Sequence, residues 1–210
     1  IGDAIMAIFG TPFAHDDDPD RGVRAAIKMM KELNHYNEHR KSQGKPPVDH
    51  GMGLNTDQIV SGNIGSPKRM DYTVIGDGVN LAARVESSCK KYGAHILMSE
   101  YTFQALKATY RTRQVDKVIV KGKTVPVGVY EVLDYHNKES FPNMIEVLEM
   151  FNNGIEYYNE GNWDNAITQF NKAQKGNPED KCSNMYIQRC EILKKENPKD
   201  WDGVWVAKSK

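Results

Sequence analysis

Cysteine is scarce in this 210-residue sequence, and net charge and long apolar runs are missing altogether. Cys89, Cys182 and Cys190 make an odd count without paired spacing, which excludes a disulfide framework and points to reduced, half-buried thiols in the cytosol. No apolar run nears the roughly 20 residues of a membrane span, and the opening residues show no secretory leader pattern. The 28 basic and 28 acidic side chains cancel, which argues against a nucleic-acid or membrane-surface protein. What remains is enough chain for one ample domain or two small ones. The chain opens on Ile1 with a strand pattern already running, as a piece of a longer polypeptide would.

The stretch IGDAIMAIFG is apolar or small throughout and predicts a buried strand. His15 and four acids, Asp16, Asp17, Asp18 and Asp20, could form a metal cluster. Acids ahead of a helix more simply serve as caps and first-turn charges. Val23, Ala26, Ile27, Met30 and Leu33 follow i, i+3, i+4, i+7, predicting an amphipathic helix from 19 to about 40. Residues 48–66 alternate, with Val48, His50, Met52 and Leu54 opposite Asp49, Gly51, Gly53 and Asn55, and predict a hairpin turning at Thr56 and Asp57. The glycines on one face imply that something approaches that backbone closely, either a ligand or another chain.

MDYTVIGDGVNLAARVE, residues 70–86, reads as a strand, a Gly-Asp-Gly turn and a helix to about residue 91. A glycine-rich loop opening a helix can face a phosphate or be an ordinary connection. Asp77 fits a helix N-cap, not a metal ligand. A strand at AHILMS, a helix from 100 to 108 and a hairpin around Lys121, Gly122 and Lys123 complete an α+β sheet with helices on one face. Beyond residue 140 the chain turns helical and polar. Gly154, Tyr157, Gly161, Ala166, Phe170, Ala173 and Pro178 fit the small and large positions of one tetratricopeptide repeat, apart from Met150 and Asn153. A lone repeat cannot bury its own face. It is expected to pack on the helix predicted from 181 to 196, on the first domain, or on a protein partner.

IGDAIMAIFG, the run from GNIGS through RMDYTVIGDGVNLAAR, and VKGK occur in the order and spacing of the class III nucleotide cyclases, which residues 1–134 resemble. The resemblance implies a ferredoxin-like cyclase sheet, truncated at its N-terminus, with a linker at 135–145, the helical segment at 146–198 and a tail at 199–210. It also implies the chemistry. The ribose 3′ oxygen of ATP attacks the α-phosphorus and expels pyrophosphate, with two divalent ions, Mg2+ or Mn2+, held by carboxylates. Asp3 matches one metal aspartate. Asn80 would orient the ribose and Arg84 would donate to the α-phosphate; four apart on a helix, they share a side. Lys121 matches a lysine on the terminal phosphates, and Thr73 the position that reads the purine edge.

Thr73 favours an adenylate cyclase, because the family's guanylate cyclases place Cys there. Family sites form between two subunits, so a homodimer is implied, with Asp3 of one chain facing Asn80 and Arg84 of the other. The family's first metal aspartate and its base-reading lysine would both precede Ile1. Singly, these residues are ordinary: a solvated pair, an exposed turn lysine, a strand threonine. Their joint order makes the cyclase reading, in the cytoplasm or in the cytoplasmic part of a larger signalling protein. A guanylate cyclase and a non-catalytic cyclase-like interaction module are the alternatives.

Overall fold

The computed structural model describes residues 4–66, 69–118 and 126–205. Its elements run α1 (Asp18–Ser42), β1 (Met52–Leu54), β2 (Val60–Ser66), β3 (Arg69–Ile75), α2 (Asp77–Ser87), α3 (Cys89–Tyr92), β4 (Ile96–Ser99), α4 (Glu100–Ala105), β5 (Thr112–Val118), β6 (Val127–Val132), α5 (Met144–Asn159), α6 (Trp163–Gly176) and α7 (Lys181–Glu196). Four strands form a mixed sheet in the order β1-β4-β6-β5, and β2 pairs with β3 apart from it.

Side-chain alternation along β4 divides the core. Ile96 and Met98 join Val132 of β6 and Val23, Ala26 and Met30 of α1. Leu97 lies with Val115 of β5, Val129 of β6, Leu81 and Val85 of α2, and Phe151, Phe170 and Tyr186 of the C-terminal helices. Helices therefore cover both faces of the sheet, not one as expected. Every β4 residue is buried, as suits a strand paired on both edges and covered on both sides.

The expected hairpin at 48–66 does not form. β1 pairs in parallel with β4, Met52 opposite Ile96, and the antiparallel hairpin is β2 with β3, Val60 opposite Ile75. The alternation itself holds, since Met52 and Leu54 pack toward α1. The glycine face is met by the protein's own α2 and the start of α3. A Cβ on Gly53 would lie 2.3 Å from the Glu86 nitrogen and 2.4 Å from the Ala82 oxygen, and one on Gly51 would lie 2.8 Å from the Cys89 Cβ.

The strand expected at the start is absent over 4–10, where Ile5 is 83% exposed. A strand needs a ladder for its backbone groups. β1 ends the sheet on that side, and no described residue extends pairing beyond it. Helix α4 stops three residues early because the buried Asp20 carboxylate takes the N–H groups of Lys107 and Ala108, at 3.0 and 2.9 Å, and the Tyr110 hydroxyl at 3.1 Å. One member of the acidic run thus ties α1 to the loop after α4. Asp17 caps α1 without a side-chain bond, and Asp18 supplies a first-turn charge.

The tail packs on this body. Gly154 of α5 leaves space only for the Phe170 ring, which a Cβ there would meet at 2.6 Å. Phe170 stacks on Tyr186 of α7 at 5.0 Å. Helix α7 then docks on the sheet: the Tyr186 hydroxyl donates to the Val115 carbonyl at 3.0 Å. Arg113 donates to both Asp180 oxygens, at 2.9 and 2.7 Å, and to Glu131 at 2.7 Å. Beyond α7, Trp201 donates to the Tyr158 carbonyl at 2.8 Å.

Candidate active site

Strand β3, Gly76 and α2 form one continuous strand-turn-helix unit. Leu81 and Val85 of α2 are buried, which turns Asn80 and Arg84 outward, both exposed and one turn apart. Among the described residues, neither side chain has a hydrogen-bond or ion-pair partner. The N-cap is Gly76, without a side-chain bond, and Asp77 is the first helical residue. Asp77 therefore does not cap as expected; its carboxylate lies in the first turn, where the helix dipole favours it.

The start of α2 is held from outside. The Asn55 amide donates to the Gly78 carbonyl at 3.0 Å and accepts from the Ser99 hydroxyl at 2.6 Å. A Cβ on Gly78 would meet the Asp57 Cβ at 2.6 Å, so the loop after β1 lies against the first turn. Sequence reasoning placed Asn55 only as a strand residue; an asparagine ending a strand carries no local signal of a partner 23 positions away.

Thr73 is half-buried on β3, opposite Gly62 of β2. A Cβ on Gly62 would meet no heavy atom within 4 Å, so the space beside Thr73 is open. The same hairpin bears the exposed cross-strand pair Val60 and Ile75, 69% and 57% accessible. The structure thus brings Thr73, Asn80 and Arg84 onto one local unit. Asp3 and Lys121 lie outside the described residues.

No group of three or more His, Cys, Asp and Glu side chains among the described residues could hold a metal ion. The described residues therefore do not by themselves build a metal centre, and His15 with its neighbouring acids does not form one. Instead His15 approaches Arg21 at 2.8 Å, and Asp17 pairs with Arg24 at 2.8 Å. The three cysteines are buried and unpaired. Burial pushes the Cys89 and Cys190 thiols up to about 12, so neither offers a thiolate near neutrality.

A second polar constellation is buried where the tail meets the sheet. Asp116 of β5 accepts from Tyr92 at 2.6 Å and from Arg189 at 2.7 Å, with Lys91 at 3.4 Å. Burial alone would raise the Asp116 carboxyl, but the hydrogen bond and charge of Arg189, with Tyr92 and Lys91, together hold it below its usual value. Arg189 also faces the Trp205 ring at 5.4 Å. Asp116 and Arg189 are buried and the Lys91 side chain is half exposed, and the set joins β5, α3 and α7, which marks it as structural.

No helix among the described residues is long and apolar enough to cross a membrane. The terminal-differentiation-specific adenylate cyclase of Dictyostelium discoideum is 36% identical over 198 residues, covering 90% of this chain and 9% of that protein. An adenylate cyclase of Anabaena cylindrica is 39% identical over 139 residues, 63% of this chain and 27% of that protein. The chain thus spans only a small share of these relatives. Among solved structures, the adenylyl cyclase CyaB from P. aeruginosa aligns with a TM-score of 0.53 at 32% identity, covering 63% of this chain and 67% of that one. The guanylyl cyclase Cya2 aligns with a TM-score of 0.50 at 35% identity, covering 59% and 62%. The family model for the adenylate and guanylate cyclase catalytic domain matches residues 1–135. With the strand-turn-helix unit carrying Asn80 and Arg84 inside that match, the chain belongs to the adenylate and guanylate cyclase catalytic domain family.

Proposed function

We propose that this chain is the part of an adenylate cyclase that positions and stabilises the reacting phosphate, converting ATP to 3′,5′-cyclic AMP and pyrophosphate. The observation that carries the reading is the outward display of Asn80 and Arg84, without a side-chain partner among the described residues, on a helix whose other face is buried. In the reaction the ribose 3′ oxygen forms a bond to the α-phosphorus and loses its proton, while the bond to the pyrophosphate oxygen breaks. Asn80 orients the ribose. The Arg84 guanidinium donates to the α-phosphate oxygens as charge builds there. Thr73, beside open space on β3, hydrogen-bonds the adenine edge, and Lys121 meets the terminal phosphates. Divalent ions, Mg2+ or Mn2+, enter the proposal through Asp3; such an ion, when bound, neutralises triphosphate charge.

The site is proposed to complete itself in a homodimer, for which the exposed Val60 and Ile75 hairpin offers an apolar face. Three unpaired cysteines suit a reducing, cytoplasmic setting. For the tail, a tetratricopeptide-like segment over 146–198, after a linker at 135–145, is supported by the Gly154–Phe170 contact; a protein partner for it belongs to the same proposal. A guanylate cyclase is the second reading, favoured by the likeness to Cya2.

The test is steady-state kinetics on the full-length protein. Asn80→Ala and Arg84→Ala are expected to lower kcat about a hundredfold or more with little change in KM, since contacts that strengthen in the transition state act on turnover. A pure KM effect would remove both residues from the chemistry. A wild-type protein that makes no cyclic nucleotide would favour the non-catalytic interaction module.

A further inference from the structure

Helix α2 begins without a cap of its own, because its N-cap is Gly76, which has no side chain to satisfy the free N–H groups of the first turn. Yet on the cyclase reading this is the turn from which Asn80 must be aimed. Beside the packing of Asp57 on Gly78, a side-chain amide on another element hydrogen-bonds this turn. Asn55 follows the last residue of β1 and is half-buried. Its Nδ2 donates to the Gly78 carbonyl at 3.0 Å, two residues before Asn80. Its Oδ1 accepts from the Ser99 hydroxyl at 2.6 Å.

Ser99 is fully buried and is the N-cap of α4, where its oxygen accepts from the Thr102 amide at 3.3 Å. Asn55 therefore joins the start of α2 to the start of α4 through the end of the central strand β4. The Gly78 carbonyl belongs to the helix ladder, and its second lone pair is free for an outside donor. The fit is close from both directions. A Cβ on Gly78 would meet the Asn55 Nδ2 at 3.2 Å as well as the Asp57 Cβ at 2.6 Å. One residue on, the Thr56 hydroxyl donates to Thr102 at 3.1 Å and anchors the same loop to α4.

We propose that Asn55 is a positioning residue for catalysis: by clamping the Gly78 carbonyl against the β4–α4 junction, it fixes the first turn of α2 and thereby the aim of Asn80 and Arg84. The proposal rests on the cyclase reading for its effect on turnover, while the clamp itself is a property of the fold. Its chemical requirement is strict. The side chain must donate toward α2 and accept from Ser99 at once, which an amide does and a carboxylate of the same size cannot. Small misplacements of an orienting group are costly in rate, so the clamp acts on kcat and leaves ground-state binding nearly unchanged.

The experiment is Asn55→Asp in the full-length protein, which keeps the size and the acceptor for Ser99 and removes the donor to Gly78. Two readouts are taken: kcat and KM with ATP, and backbone hydrogen exchange of the peptide covering 77–87 against that covering 181–196. Expected are a kcat lower by about tenfold, a KM within about twofold of wild type, and faster exchange confined to 77–87. Where Asn55→Asp does not fold, Asn55→Ser, too short to reach Gly78, takes its place with the same expectations. Unchanged exchange at 77–87 overturns the proposal whatever the activity, and so does faster exchange with unaltered kcat. If the wild type makes no cyclic nucleotide yet the variant exchanges faster at 77–87, the cyclase reading fails and the clamp on α2 stands.

Discussion

Arg189 Nη2 lies 2.7 Å from Asp116 Oδ2, and both residues are almost wholly buried, 4% and 5% exposed. A tail helix and a sheet strand thus share a desolvated ion pair. Removing one partner strands the other charge, a change that costs about 3–5 kcal/mol for a buried pair. Lys91 and Tyr92 remain beside Asp116 and soften the loss. Arg189→Met is expected to destabilise the protein by about 3 kcal/mol in urea unfolding. Adding Asp116→Asn is expected to recover more than half of that loss.

Gly53 tests the contact behind the candidate site. A side chain there overlaps the α2 backbone at 2.3–2.4 Å, and backbone cannot rotate away as a flexible side chain can. Gly53→Ala is expected to cost about 1–3 kcal/mol as overpacking and to lower turnover by displacing α2. Gly62→Ala, where a Cβ meets nothing within 4 Å, is the steric control for stability. Equal melting temperatures for the two variants would refute the close approach.

Thr73 carries the base preference. Its hydroxyl, pairing with adenine and leaving guanine mismatched, accounts for about 1–3 kcal/mol of discrimination. Thr73→Ala is expected to bring the kcat/KM values for ATP and GTP about tenfold or more closer together. A wild-type preference for GTP would instead assign the guanylate activity.

His136 supplies a pH dependence. Burial, then the nearby His95 and Arg113 charges, lowers its imidazole from 6.5 to about 4. The unfolded chain takes up this proton near 6.5 and the folded chain only near 4. The group's contribution is therefore fully present above pH 6.5 and is lost as pH falls from there toward 4. His136→Gln is expected to flatten that part of the stability profile relative to wild type, measured by thermal unfolding between pH 7 and 4.

The legible parts of this fold are local ones. Thr73, Asn80 and Arg84 fall on adjoining elements, so strand pattern, glycine turn and helical spacing place them from neighbouring residues alone. The same holds for α1 and for the pairing of β5 with β6. The parallel pairing of β1 with β4 joins residues more than 40 positions apart, and no turn signal announces it. The glycines at 51 and 53 did announce a close approach, but sequence could not say that α2 makes it. Arg113, Asp116 and Arg189 carry no local sign of burial, because the partners of Arg113 are Glu131 of β6 and Asp180 ahead of α7, and Asp116 of β5 pairs with α3 and with Arg189 of α7. Asn55 was hidden for the same reason: its meaning lies in Gly78 and Ser99.

The triad of Arg113, Asp180 and Glu131 joins sheet and tail, and the chain between them passes through the exposed stretch 137–140, close to the end of the family match at 135. A protease that cuts that stretch would sever the covalent thread between sheet and tail but none of the contacts that press them together. The two pieces are then expected to co-elute under native conditions and to part only in denaturant. The unit that the family match outlines and the unit that stays together are therefore different objects, and a truncation drawn at residue 135 would uncover Val115 and Val129 and leave the Arg113 guanidinium with Glu131 but without Asp180.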